Sequence, residues 1–180
     1  MGPRTVKLLL VGFLAVVSVA ASATPASAGP RGYHPEPWRT WVQQEWTSEA
    51  GRYCSFPLGV RVVSQDVRVR VAARYPDGAV RREEFTGPLL VDFVDVHSGR
   101  AVRRDAGGSG AAEYRPDGTW IRYTILGPAG FGFRPGDHYP RGYYILDGLH
   151  TITFEPDGTR KMAIAVGRQD NVCRALGDPS

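Results

Sequence analysis

The side chains of this 180-residue chain that could take part in a reaction are few and scattered. Its four histidines, His34, His97, His138 and His150, stand in no metal-binding spacing such as His-x-x-x-His, so no metal site is expected. Asp92 and Asp95 precede His97 and Ser98, and Asp137 precedes His138, so a hydrolase could be written down on paper. Neighbours in a turn more readily cap backbone amides, and no Gly-x-Ser-x-Gly elbow presents a nucleophile. Hydrolysis is therefore not expected. The glycine run Gly107-Gly108-Ser109-Gly110 lacks the lysine and following Ser/Thr of a phosphate loop, which leaves a flexible loop as its reading. Carboxylates such as Asp92, Glu113 and Asp147 would serve sugar hydrolysis only if they faced each other across a cleft. No catalytic residue is assigned, no cofactor is called for, and an enzyme is not the favoured reading.

The two cysteines, Cys54 and Cys173, flank nearly everything that reads as folded. The start of the chain places them outside the cell. Arg4 and Lys7 precede an uncharged run from Leu8 to Ala21, and Ala26-Ser27-Ala28 offers a small-x-small cleavage site. An apolar run of that length fits a secretory signal peptide over residues 1–28, whereas a membrane-spanning helix needs about 20 apolar residues. Cleavage after Ala28 would give a secreted or envelope-associated product with no transmembrane segment. In an oxidising compartment a cysteine pair is expected as a bridge, and neither a Cys-x-x-Cys spacing nor a ligand cluster supports a metal or redox role. Removing the leader takes the 22 basic residues to 20 against 18 acidic ones, a net charge of +2. Charges of both signs are interspersed, so nucleic acid is not an expected partner.

What must position any site is set by a repeat. Pro76-Asp77-Gly78 recurs as Pro116-Asp117-Gly118 and Pro156-Asp157-Gly158, and a second glycine follows in each unit at Gly87, Gly127 and Gly167, twice before proline. Proline, aspartate and glycine in this order make a tight turn. Around the turns the apolar period is two: Val67, Val69 and Val71 alternate with Arg68, Arg70 and Ala72, and Ile121, Tyr123 and Ile125 with Trp120, Arg122 and Thr124. Leu89 to Val96 is apolar on both faces and reads as a central strand. The glycines of Ala129-Gly130-Phe131-Gly132-Phe133 permit a bend or a close backbone approach. The pattern predicts an all-β domain over residues 51–176, a single antiparallel barrel or closed sandwich of about nine or ten strands, with no helix after Cys54 and a short tail at 177–180. A barrel is preferred because it removes exposed edges. Residues 29–50 form a short tryptophan-rich extension, helical or irregular, in which Pro37, Trp38, Trp41 and Val42 suit a short helix, with the tryptophans as a plug over an open end.

Cys54-Ser-Phe56-Pro57 at the start, Ser98-Gly99-Arg100 and Pro116-Asp-Gly to Gly127-Pro128 in the middle, and Gly167-Arg168 before Cys173 resemble a family of secreted actinobacterial β-rich proteins. The resemblance spans roughly residues 51–176. It implies export and paired cysteines, and it carries no catalytic residues over. The tryptophan stretch from Trp38 to Trp46 and the His138-Tyr139-Pro140-Arg141 loop depart from it.

By architecture, the expected function is a non-enzymatic domain binding a small apolar ligand or an envelope polymer, with Trp38, Trp41, Phe131, Phe133, Tyr139 and Tyr143 near the mouth. Two alternatives stand beside it. One is a barrel isomerase or cyclase of the allene-oxide-cyclase or dirigent type, which needs a polar group inside; Asp92, Glu113 and Arg122 are its candidates. The other is a structural or interaction protein with a filled interior.

Overall fold

The computed structural model describes residues 34–179; the expected signal peptide and its cleavage site lie outside them. Twelve strands run in chain order: β1 (Arg39–Trp41), β2 (Trp46–Ser48), β3 (Leu58–Gln65), β4 (Val67–Arg74), β5 (Val80–Thr86), β6 (Leu89–Asp95), β7 (Ala101–Asp105), β8 (Ser109–Tyr114), β9 (Trp120–Leu126), β10 (Ala129–Phe133), β11 (Gly142–Phe154) and β12 (Arg160–Asn171), followed by one helical turn, α1 (Val172–Ala175). The fold is all-β, with two antiparallel sheets. One has the order β1-β4-β5-β8-β9-β11-β10 with β12 on the other side of β11, and the second has the order β2-β3-β6-β7.

From Leu58 to Asn171 the ten strands β3–β12 reduce to six long arms, most of them bent near the middle. The pairing β4–β5 continues past the bend as β3–β6, and β5–β8 continues as β6–β7. β9 and β10 together pair with β11 in one unbroken register, from Arg122↔Thr153 to Phe133↔Gly142. The chain is thus an up-and-down meander, and the forty-residue repeat is two arms with their turns. The three Pro-Asp-Gly turns sit at the tips β4–β5, β8–β9 and β11–β12. In each, the aspartate carboxylate accepts from the backbone N–H two residues on, at 2.8–2.9 Å.

The second glycine of each repeat unit marks the bend. Gly87 separates β5 from β6, Gly127 separates β9 from β10, and Gly167 lies within β12. Gly87 has φ +127°, and a Cβ there would lie 2.2 Å from the Asp66 carbonyl at the neighbouring bend; at Gly167 (φ +128°) it would lie 2.1 Å from the Asp147 carbonyl. Adjacent arms touch backbone to backbone along this line, which only glycine permits. Folding along it turns one meander into two layers.

The closed barrel is not formed. Among the described residues no ladder joins β7 to β10, and β1 and β12 each pair on one side only. The seam of bends lays the sheet over itself as a sandwich, and a covalent tie links the first and last arms where strand pairing does not. Cys54 and Cys173 form a disulfide with Cα atoms 5.3 Å apart. It sits in a core with Leu58, Val60, Val91, Phe93, Ile145, Val172 and Leu176. Two further expectations are corrected. Residues 39–41 are extended, because the edge of β4 pairs with them (Arg39↔Val69, Trp41↔Val67). A helical turn does follow Cys54: α1, which the Asn171 side chain caps by accepting from the Arg174 N–H at 3.2 Å, too short to show a period. Among the described residues no helix is long and apolar enough to cross a membrane.

Candidate ligand cavity between the sheets

Period-two alternation decides which side chains face inward. In β4, Val67, Val69 and Val71 are buried. Register carries that face across the sheet, so Val69 lies beside Phe85, Phe85 beside Gly110, and Gly110 beside Ile125, while the next row runs Val71, Glu83, Ala112, Tyr123. β8 thus contributes the small Gly110 and Ala112 to the middle of the inner face, with Tyr114 at its end. Phe85 lies over Gly110, where a Cβ would meet the ring at 2.5 Å, and stacks on Tyr123 with centroids 5.2 Å apart. The facing sheet supplies Val60, Leu89, Val91 and Phe93. Between them remains a cavity of about 280 Å³, close to the lower end of the usual range for small-molecule sites, about 300–1,000 Å³.

Polar groups gather at one part of its wall. Glu83 accepts a hydrogen bond from the Tyr114 hydroxyl at 3.0 Å and from Arg39 Nη2 at 3.2 Å. Burial first, and the Glu83 carboxylate second, push the Tyr114 phenol well above its ordinary range, so it stays a donor. Burial likewise raises Tyr123 and Tyr143. Gln43 also lines the cavity, its backbone N–H donating to Gln65 Oε1 at 2.7 Å.

A second, more open cleft of about 760 Å³ lies beside it, between the turns at Gly118 and Pro156–Gly158. Trp46, Trp120, Gly130 and Tyr143 belong to the walls of both. Aromatic rings dominate the cleft: Trp120 meets Phe154 at 5.2 Å, Tyr53 meets Tyr143 at 5.6 Å, and Trp46 meets Tyr143 at 5.6 Å. The glycines of β10 have their reason here. A Cβ at Gly130 would lie 2.7 Å from the Tyr143 hydroxyl, and one at Gly132 would lie 2.4 Å from the Tyr53 ring.

The six aromatic residues expected near a mouth do not gather at one place. Trp41 lines the inner cavity, Phe131 the outer cleft, and Tyr143 both. Trp38, three residues from Trp41 on an extended strand, stacks on Arg70 at 4.5 Å. Phe133 is fully buried against Tyr139 and Tyr144, and Tyr139 donates to Gln169 Oε1. The polar candidates lie elsewhere: Asp92 is clamped by Arg103 at 2.7 and 2.9 Å, and Glu113 pairs with Arg122 at 2.7 Å. Asp95 accepts from the His97 backbone N–H at 2.9 Å and the Ser98 hydroxyl at 2.5 Å, and these bonds, Ser98 first, hold its carboxyl below the usual range. It is a turn cap. Glu83 was missed, though it stands two residues before Phe85 and so on the same strand face.

His150 is fully buried on β11, opposite Ile125, and neither ring nitrogen meets a partner at hydrogen-bonding geometry among the described residues. Burial lowers its pKa. Compared with known proteins, the chain matches no family model, no curated protein and no solved structure.

Proposed function

We propose that this is an exported binding domain that holds a small apolar molecule between its two sheets. The observation that carries the reading is the inner cavity, walled by Val67, Val69, Phe85, Val91 and Phe93 and polar only around Glu83, Tyr114 and Gln43. A well-packed sandwich of this size would fill such a space with side chains; here the small Ala112 on the cavity wall leaves it open. The expected leader and the disulfide between Cys54 and Cys173 support action outside the cytoplasm. Native mass spectrometry of the protein from its secreting host tests the reading. We expect a reproducible extra mass on the wild type and its loss in Ala112→Phe, which fills the cavity. A bare wild-type species that also takes up no Nile red would sink the reading.

Glu83 favours a second reading, an isomerase or cyclase. A carboxylate at the wall of an apolar cavity, bonded to a phenol donor, can move a proton on a bound molecule. Under this reading the molecule eluted from the wild type is rearranged relative to that eluted from Glu83→Gln.

A further inference from the structure

We infer that the outer cleft is a separate binding site for a neutral sugar, such as a stretch of an uncharged envelope polysaccharide. In sequence the tryptophans near residue 40 have no polar partners, which argues against sugar stacking. In space, Trp46 shares a cleft with Arg115, Glu155, Asp157 and Arg160, all distant from it in sequence.

Sugar rings present flat C–H faces and a rim of hydroxyls that both donate and accept, so a sugar site needs aromatic surface together with donors and acceptors. The cleft has both. Trp120 is 38% exposed and lies against Phe154, while Tyr53, Phe131 and Tyr143 complete the aromatic wall. The guanidinium of Arg160 stacks on Phe131 at 5.5 Å, and its Nε is buried with no hydrogen-bond partner. Its Nη1 donates to the Gly132 carbonyl at 2.5 Å, which fixes the guanidinium in the cleft wall. Arg115 is held by backbone carbonyls, Trp120 O at 2.6 Å and Phe154 O at 3.2 Å, so its charge meets no carboxylate ion pair among the described residues. Glu155 is exposed and makes no side-chain hydrogen bond with another described residue, and Asp157 caps its own turn, accepting from the Thr159 N–H at 2.8 Å.

The charge count selects the class. Two guanidinium groups face two carboxylates, so an anionic polymer meets Glu155 and Asp157 unfavourably, and a purely apolar ligand would desolvate all four groups. A neutral polyol satisfies both signs. This inference stands independently of the inner cavity.

The test uses the mature, disulfide-bonded chain. Cellohexaose, chitohexaose, mannohexaose and galactohexaose serve as neutral probes and a galacturonic acid hexamer as the anionic one, each followed by tryptophan fluorescence and by NMR shifts of backbone amides. We expect one neutral sugar to bind, with Trp120→Ala and the exposed Glu155→Ala each weakening it by about tenfold, the scale of a lost aromatic contact or hydrogen bond. Ala112→Phe should leave sugar binding unchanged, which separates this site from the inner cavity. The inference is overturned if no neutral sugar binds at about 10 mM, if the galacturonic acid hexamer binds better, if both variants bind like the wild type, or if Ala112→Phe abolishes binding.

Discussion

Glu83 and His150 are treated differently by the same inner face. Glu83 has its charge matched by two donors, Tyr114 and Arg39. His150 has none at hydrogen-bonding geometry among the described residues, and burial favours its neutral form. Its folded pKa lies below the ordinary histidine value, about 6.5, so the unfolded chain takes up the proton first as pH falls. Stability should therefore drop as pH falls through about 6.5 and go on dropping until the folded histidine titrates as well. The carboxylates Glu84, Asp92 and Asp95, all held below their usual range, lose their stabilising pairs only at lower pH. Urea unfolding at about pH 7.5 and about pH 5.5 separates the two groups. We expect a lower midpoint for the wild type at the acid value and a flatter response for His150→Leu; an equal acid loss in the variant would assign the effect to another group. Neither role was legible in the sequence. A histidine four residues past the apolar Leu146 does not announce that it is buried, and Glu83 sits in Arg81-Arg82-Glu83-Glu84, which reads as a solvated charge run until its register with Val71 is known.

At the level of strands, two kinds of glycine share the repeat and do different work. Gly78 closes an exposed turn where a Cβ would meet nothing within 4 Å, whereas Gly87 lies against the Asp66 carbonyl. Alanine at Gly78 pays only the left-handed backbone cost, about 1–2 kcal/mol. Alanine at Gly87 adds a backbone overlap that cannot relax without moving β3 and β4, and should cost about 3 kcal/mol or more. Denaturant midpoints of the two variants check this; equal losses would mean that the bend tolerates a side chain. The turns were legible because Pro-Asp-Gly acts through local dihedral preferences. The bends were visible only as a second mark in the period, since their reason is contact between residues such as Gly87 and Asp66 on neighbouring arms. The same non-locality misled at Trp38 and Trp41, whose spacing suits a helix but whose backbone completes the edge of β4.

For the molecule as a whole, the disulfide stands where a closing ladder would. It joins residues 119 apart, and in the chain-entropy model a loop of that size contributes about 4–5 kcal/mol. Replacing both cysteines by serine, or adding reductant, should lower the unfolding free energy by roughly that amount while the sheets still form. Circular dichroism with urea titration reads both. A loss of all sheet structure without denaturant would show that the bridge is a condition of folding. All-β architecture and the cysteine pair could be read from alternation, turns and the expected leader. The open edges at β1 and β12 and the two cavities could not, because they depend on how far the bends carry one layer over the other.

Between Cys54 and Cys173 the backbone is, covalently, a circle. A protease that cuts once at an exposed tip such as Asp117-Gly118 opens the circle into a line and releases nothing. The cut ends stay on one molecule, held by the remaining arms and by sulfur. Among the described strands, β1 and β2, with the inner-wall residues Trp41, Gln43 and Trp46, lie outside the loop, so a single cut between them and Cys54 can remove that piece of the cavity wall.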